Sequence, residues 1–97
     1  MSPQEFLNLP VPPSRTLEME SWEQALRDLG PEAEQVFLDA LERGTELEQH
    51  AALQALRLRF DYEASVEGHQ HDLVYRIKPP GGDERLIKPS ILPVPLM

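Results

Sequence analysis

Apolar and polar positions alternate from residue 56 to residue 66 and again from 71 to 77. Leu56, Leu58, Phe60, Tyr62, Ala64 and Val66 share one face of an extended strand, and Arg57, Arg59, Asp61, Glu63 and Ser65 share the other. After Glu67-Gly68-His69-Gln70 the apolar set resumes as His71, Leu73, Tyr75 and Ile77. Period-two patterning on both sides of a short glycine-containing segment predicts a β-hairpin. A two-residue turn at Gly68-His69 pairs Val66 with His71, Ala64 with Leu73, Tyr62 with Tyr75 and Phe60 with Ile77. On the outer face it pairs Asp61 with Arg76 and Ser65 with Asp72, while Arg59 faces Lys78 and Val74 faces Glu63. A one-residue slip would set apolar against polar throughout, so parity is fixed by the pattern.

Upstream the period changes to that of helices. Trp22, Ala25, Leu26 and Leu29 stand at i, i+3, i+4 and i+7, with Ser21 and Gln24 as a capping box and Gly30 as the stop. Pro31 and the acids Glu32 and Glu34 suit the first turn of a second helix, which carries Ala33, Val36, Phe37, Ala40 and Leu41 inward and ends at Gly44. Thr45 and Glu48 form a second capping box, opening a third helix through Leu47, Ala51, Ala52 and Ala55. Leu53, Leu56 and Phe60 also fit a continuing helical stripe, and no Gly or Pro marks the junction. The switch to strand is placed near Ala55–Arg57.

Prolines at 10, 12 and 13 predict extended or polyproline chain over residues 1–20, and Pro93 and Pro95 predict the same over 89–97. Pro79-Pro80-Gly81-Gly82-Asp83 reads as a turn before a short third strand. The expected architecture is therefore α+β, a single small domain over residues 21–88. Two to three short helices (21–29, 31–43, 45–55) pack on an antiparallel hairpin or three-stranded meander (57–66, 71–78, 84–88), between extended proline-bearing termini. Its expected core is Trp22, Leu26, Leu29, Val36, Phe37, Leu41, Leu58, Phe60, Tyr62, Leu73, Tyr75 and Ile77. The apolar termini either complete this core or lie along a partner's groove.

At 97 residues the chain supports one core, burying roughly 60–70% of its unfolded surface. With no cysteine there is neither a disulfide nor a thiolate metal site. No apolar run reaches the length of a membrane span, and no basic-then-apolar leader pattern is present, so a cytoplasmic location is expected. Arginine dominates over lysine, the compositional habit of GC-rich bacterial or phage genomes.

The charge of −8 is unevenly placed. Residues 1–56 hold eleven acids against Arg15, Arg27 and Arg43, whereas residues 57–97 balance six acids with six bases. An acidic helical half repels phosphate backbones and favours a basic partner. It equally serves as a solubilising surface.

Candidate chemistry is thin. His69-x-His71 could place two imidazoles on one strand face, but no third ligand stands at a characteristic spacing, so no metal or other cofactor is expected. Neither a nucleophile elbow nor a phosphate-cradling glycine loop occurs. Acid pairs such as Glu32/Glu34 and Glu46/Glu48 diverge on a helix and form a solvated face. An enzyme is not expected. The order of helices then hairpin, with a turn at Gly44 between helices, resembles a winged helix, which implies nucleic-acid binding through Arg57, Arg59, Arg76 and Lys78. The helix in the recognition position opens with Glu46 and Glu48 and offers no base until Arg57, ill suited to a major groove. The favoured expectation is a non-catalytic acidic protein-binding module, of the accessory-subunit, inhibitor, antitoxin or immunity type. It would meet a basic protein surface through Glu32, Glu34, Asp39, Glu42, Glu46 and Glu48.

Overall fold

The computed structural model of the chain describes residues 1–68 and 73–90. Its order is α1 (Pro3–Leu7), α2 (Leu17–Arg27), α3 (Ala33–Arg43), α4 (Glu46–Arg59), β1 (Glu63–Glu67), β2 (Val74–Lys78) and β3 (Arg85–Ile87). The strands form an antiparallel meander, β1-β2-β3, with the helices packed on it in the expected α+β arrangement.

The first twenty residues depart from the extended arm that the prolines predict. Ser2 caps α1 through a full capping box with Glu5, and Pro3 occupies the first turn, where its missing N–H costs nothing. This single turn drives Phe6 and Leu7 to complete burial, with the Phe6 ring 4.9 Å from Trp22 and 6.0 Å from Phe37. Helix α2 begins at Leu17 rather than at position 22. Thr16 is its cap, accepting from the Met19 N–H, and Ser21 lies inside the helix. The chain enters through Arg15 in the left-handed region, φ 64°.

Gly44 and the Thr45/Glu48 capping box stand where the sequence places them. The third predicted helix, however, runs on to Arg59, past the expected switch at Ala55–Arg57. Residues 57–62 are therefore not strand, and the opening of the apparent alternation is helical. Two physical terms decide it. Leu53 and Leu56 continue the buried stripe of Gln49 and Ala52, and Arg57 and Arg59 complement the helix dipole in its last turn. The stop needs no glycine: Asp61 takes φ 57°, which Asp tolerates, and the Tyr62 N–H turns back to the Leu56 carbonyl.

A later β1 moves the register by four residues along β2. Val66 faces Tyr75 instead of His71, Ala64 faces Ile77, and Ser65 faces Arg76. The shift is even, so Ala64, Tyr75 and Ile77 keep to the inward face, whereas Val66, expected there too, is 48% exposed. It also removes the clash of Arg59 with Lys78, because Lys78 now faces Glu63. Glu67↔Val74 is the last pair among the described residues, before the segment 68–73 that holds the expected Gly68-His69 turn. Its residues 69–72, including the His69-x-His71 pair, lie outside the described residues, as does the tail from 91.

The core gathers one face of each helix and the inner sheet face: Phe6, Trp22, Leu26, Phe37, Leu41, Leu56, Tyr75, Ile77 and Ile87 are all buried. Val36, Phe60 and Leu73 are partly buried. Leu58 is a correction: it is 47% exposed, because in a helix it points away from Leu56. Gln49, completely buried, donates to the Gly44 carbonyl and accepts from the Tyr75 hydroxyl, tying α4 to the sheet. At the far end the Ser90 N–H donates to the Glu42 carbonyl.

Candidate partner-binding face

Helix α3 buries Ala33, Phe37, Ala40 and Leu41 and turns Glu32, Gln35, Asp39 and Glu42 to solvent. The apolar stripe dictates this: once Phe37 and Leu41 face the core, residues half a turn away face water. After the break at Gly44, Glu46 opens α4 in the exposed state. Four of the six predicted acids, Glu32, Asp39, Glu42 and Glu46, are thus exposed along α3 and at the start of α4. Ion pairs among the described residues form at Arg76, not on these carboxylates; Asp39 accepts a neutral hydrogen bond from Gln35.

The other two predicted acids are engaged internally. Glu48 closes the capping box and accepts from the Gln4 side chain at 2.6 Å, pinning α1 to α4. With Asp39, Arg43 and Gln4 it also lines a shallow groove of about 310 Å³. Glu34 is half-buried and accepts from the Tyr62 hydroxyl at 2.5 Å, so it braces the start of the sheet.

Burial first, then the Glu34 carboxylate, pushes the Tyr62 phenol up to about 12. The linkage follows: the folded state holds this proton more tightly than the unfolded chain, so the stabilisation is present below pH 10 and is lost as pH rises towards 12. Tyr75, also raised by burial, acts in the same direction. Urea unfolding of the wild type should show a midpoint falling steeply above pH 10. Tyr62→Phe should fall less over that range, starting from a lower neutral-pH midpoint. Parallel curves would remove Tyr62 from the account.

The basic set is not gathered. Arg57 and Arg59 belong to α4 and not to the outer hairpin face, a correction that follows from the longer helix. The Arg59 guanidinium donates to the Leu26 carbonyl at 2.7 Å and lies over the Phe60 ring. Arg76 sits between Glu67 and Glu84 on the outer sheet face. Lys78 is exposed opposite Glu63. The four are thus divided between α4 and β2, with Arg59 and Arg76 engaged by other groups and Lys78 opposite Glu63. His50 is exposed on α4, and among the described residues no three His, Asp or Glu side chains stand close enough to hold a metal ion. Nor is any described helix long and apolar enough to cross a membrane.

Sequence reasoning missed a second surface. The start of α2 and the outer side of α4 bound a groove of about 580 Å³, lined by Leu17, Met19, Glu20, Glu23, Gln54 and Leu58 among others. Leu17 is 77% exposed there. The available signal was helical: Leu58 lies four residues after Gln54, about one turn, and so falls on the same side of α4. Comparison with protein-family models, curated proteins and solved structures finds no match for this chain.

Proposed function

We propose that the chain is a non-catalytic protein-binding module that presents the acidic outer side of α3 and the start of α4 to a basic protein. The observation that carries this reading is the run of exposed carboxylates Glu32, Asp39, Glu42 and Glu46, with Arg43 the one base interposed in that run. Carboxylates that enter none of the ion pairs among the described residues serve to steer a partner of opposite sign. Glu34 and Glu48, engaged with Tyr62, Gln4 and the cap, contribute by holding the face in shape.

The test is affinity capture from a lysate of the source organism, with mass spectrometry, using the wild-type chain and E32Q/D39N/E42Q/E46Q. The wild type should retain one stoichiometric basic protein at low salt and release it as salt rises. The neutralised chain should retain at least tenfold less. Equal retention by both chains refutes the acidic face, and dominant nucleic acid in the eluate moves the reading to the basic side chains.

A further inference from the structure

Helix α1 fills a socket built by the other helices. Its Phe6 and Leu7 are completely buried, and the Phe6 ring lies 4.9 Å from Trp22 of α2 and 6.0 Å from Phe37 of α3. The Gln4 side chain donates to Glu48 of α4, and Leu9 and Val11, partly buried against the same core, extend the attachment. Yet α1 is one turn of five residues, too short to persist without its socket. Residues 1–12 are thus a plug whose contacts all lie with the rest of the chain. The plug of a second copy is identical and would make the same contacts in this socket.

The hinge that returns the plug to its own chain is short and strained. Pro13, Ser14 and Arg15 are exposed and carry the turn into α2. The Thr16 hydroxyl closes that turn by donating to the Pro13 carbonyl at 2.8 Å, and Arg15 is held at φ 64°. The left-handed region crowds the Cβ of arginine, which lacks the short polar side chain that eases Asp61 into the same conformation. Pro12 and Pro13 keep the residues before them extended, so the reversal falls on Ser14 and Arg15. Relaxing Arg15 to an extended conformation opens the turn and carries the plug away from its socket. A strained hinge invites exchange, because an exchanged pair keeps the plug's contacts and sheds the strain in both chains.

We infer that two copies of this chain exchange residues 1–12, each seating Phe6 and Leu7 in the socket of the other. The exchange is independent of the acidic face. Charge opposes it: each copy carries −8, so the dimer should strengthen as salt rises, whereas a basic partner is released.

The test uses the full wild-type chain at about 1 mM, the order of effective concentration that a short linker gives its own plug. Sedimentation should show a monomer–dimer mixture whose dimer fraction grows with protein and with salt. Arg15→Gly, which relaxes the hinge without opening it, should dimerise at least tenfold more weakly. Arg15→Pro, whose ring forbids a positive φ, should dimerise at least tenfold more strongly. In a co-incubated mixture of ¹³C-labelled and unlabelled wild-type chains, isotope-filtered NOEs should join Phe6 of one chain to Trp22 of the other. A wild-type chain that stays monomeric at every salt concentration overturns the exchange. So does a dimer whose Phe6–Trp22 contacts stay within one chain, or one that Arg15→Gly leaves equally strong.

Discussion

Replacing Phe6 with alanine is expected to remove about 3–5 kcal/mol of stability, the cost of truncating a completely buried aromatic ring. A domain of this size holds about 5–15 kcal/mol in all, so the variant should be marginal at room temperature. Its urea midpoint should drop by roughly 2 M, given slopes of about 1–3 kcal/mol per molar. The size of the effect comes from position: Phe6 bridges Trp22 and Phe37, and through Phe37 it reaches Phe60, 6.2 Å further on. It lies in a five-residue helix that could not persist alone and is held by its packing on α3 and α4 and by the Gln4–Glu48 hydrogen bond. Leu17→Ala, at an exposed site, should stay within about 0.5 kcal/mol of wild type and serves as control. A Phe6→Ala chain as stable as that control would show that residues 1–9 lie off the core.

The second large effect separates two neighbouring leucines. Leu56→Ala should cost about 2–5 kcal/mol, because Leu56 is completely buried beneath α4. Leu58→Ala, with half its surface in water, should stay within about 0.5 kcal/mol. In a strand the two residues would share a face and lose comparable amounts, whereas in a helix they point in nearly opposite directions. Denaturant unfolding of both variants therefore reads the conformation of residues 56–59 directly. Comparable losses would return this segment to the sheet.

That junction shows why part of the fold could be read from the sequence and part could not. Trp22, Leu26, Phe37 and Leu41 repeat at helical spacing, and their burial follows from spacing alone. The Thr45/Glu48 box marks the start of α4 to the residue. From Leu53 to Phe60 the chain satisfies both periods at once, since Leu56 and Phe60 belong to the period-two set and to the helical stripe. Local pattern could not choose; packing against α3 and the left-handed turn at Asp61 did. Tyr75 and Ile77 keep their inward face because the register differs from the expected one by an even number, but Val66 is left exposed.

The missed α1 has a different cause. One helical turn is too short to show periodicity, and the prolines at 10–13 colour the whole segment as extended. Ser2-Pro3-Gln4-Glu5 nevertheless carries the capping-box signature with proline in its first turn, the same kind of evidence that placed α4. Thr16, the cap that α2 uses, stands five residues before the expected cap Ser21, inside the segment that the prolines mark as extended.

For the candidate site, the sign of the face was legible and its membership was not. Composition alone put the acidic excess in the helical half. Which acids are exposed depends on helix phase and on long-range partners: Glu34 is engaged by Tyr62, 28 residues away, and Glu48 by Gln4, 44 residues away. The basic residues illustrate the reverse, since a pattern that looked like one strand face dissolves once Arg57 and Arg59 turn around a helix. Leu58 turns outward because the helix extends to Arg59.

The acidic-face account is tested most directly by the affinity of the captured partner across a salt series, for the wild-type chain and for E32Q/D39N/E42Q/E46Q. The predicted result is a Kd at least tenfold weaker for the neutralised chain at low salt, with a flatter dependence of log Kd on log salt. Identical affinities and identical slopes would contradict it.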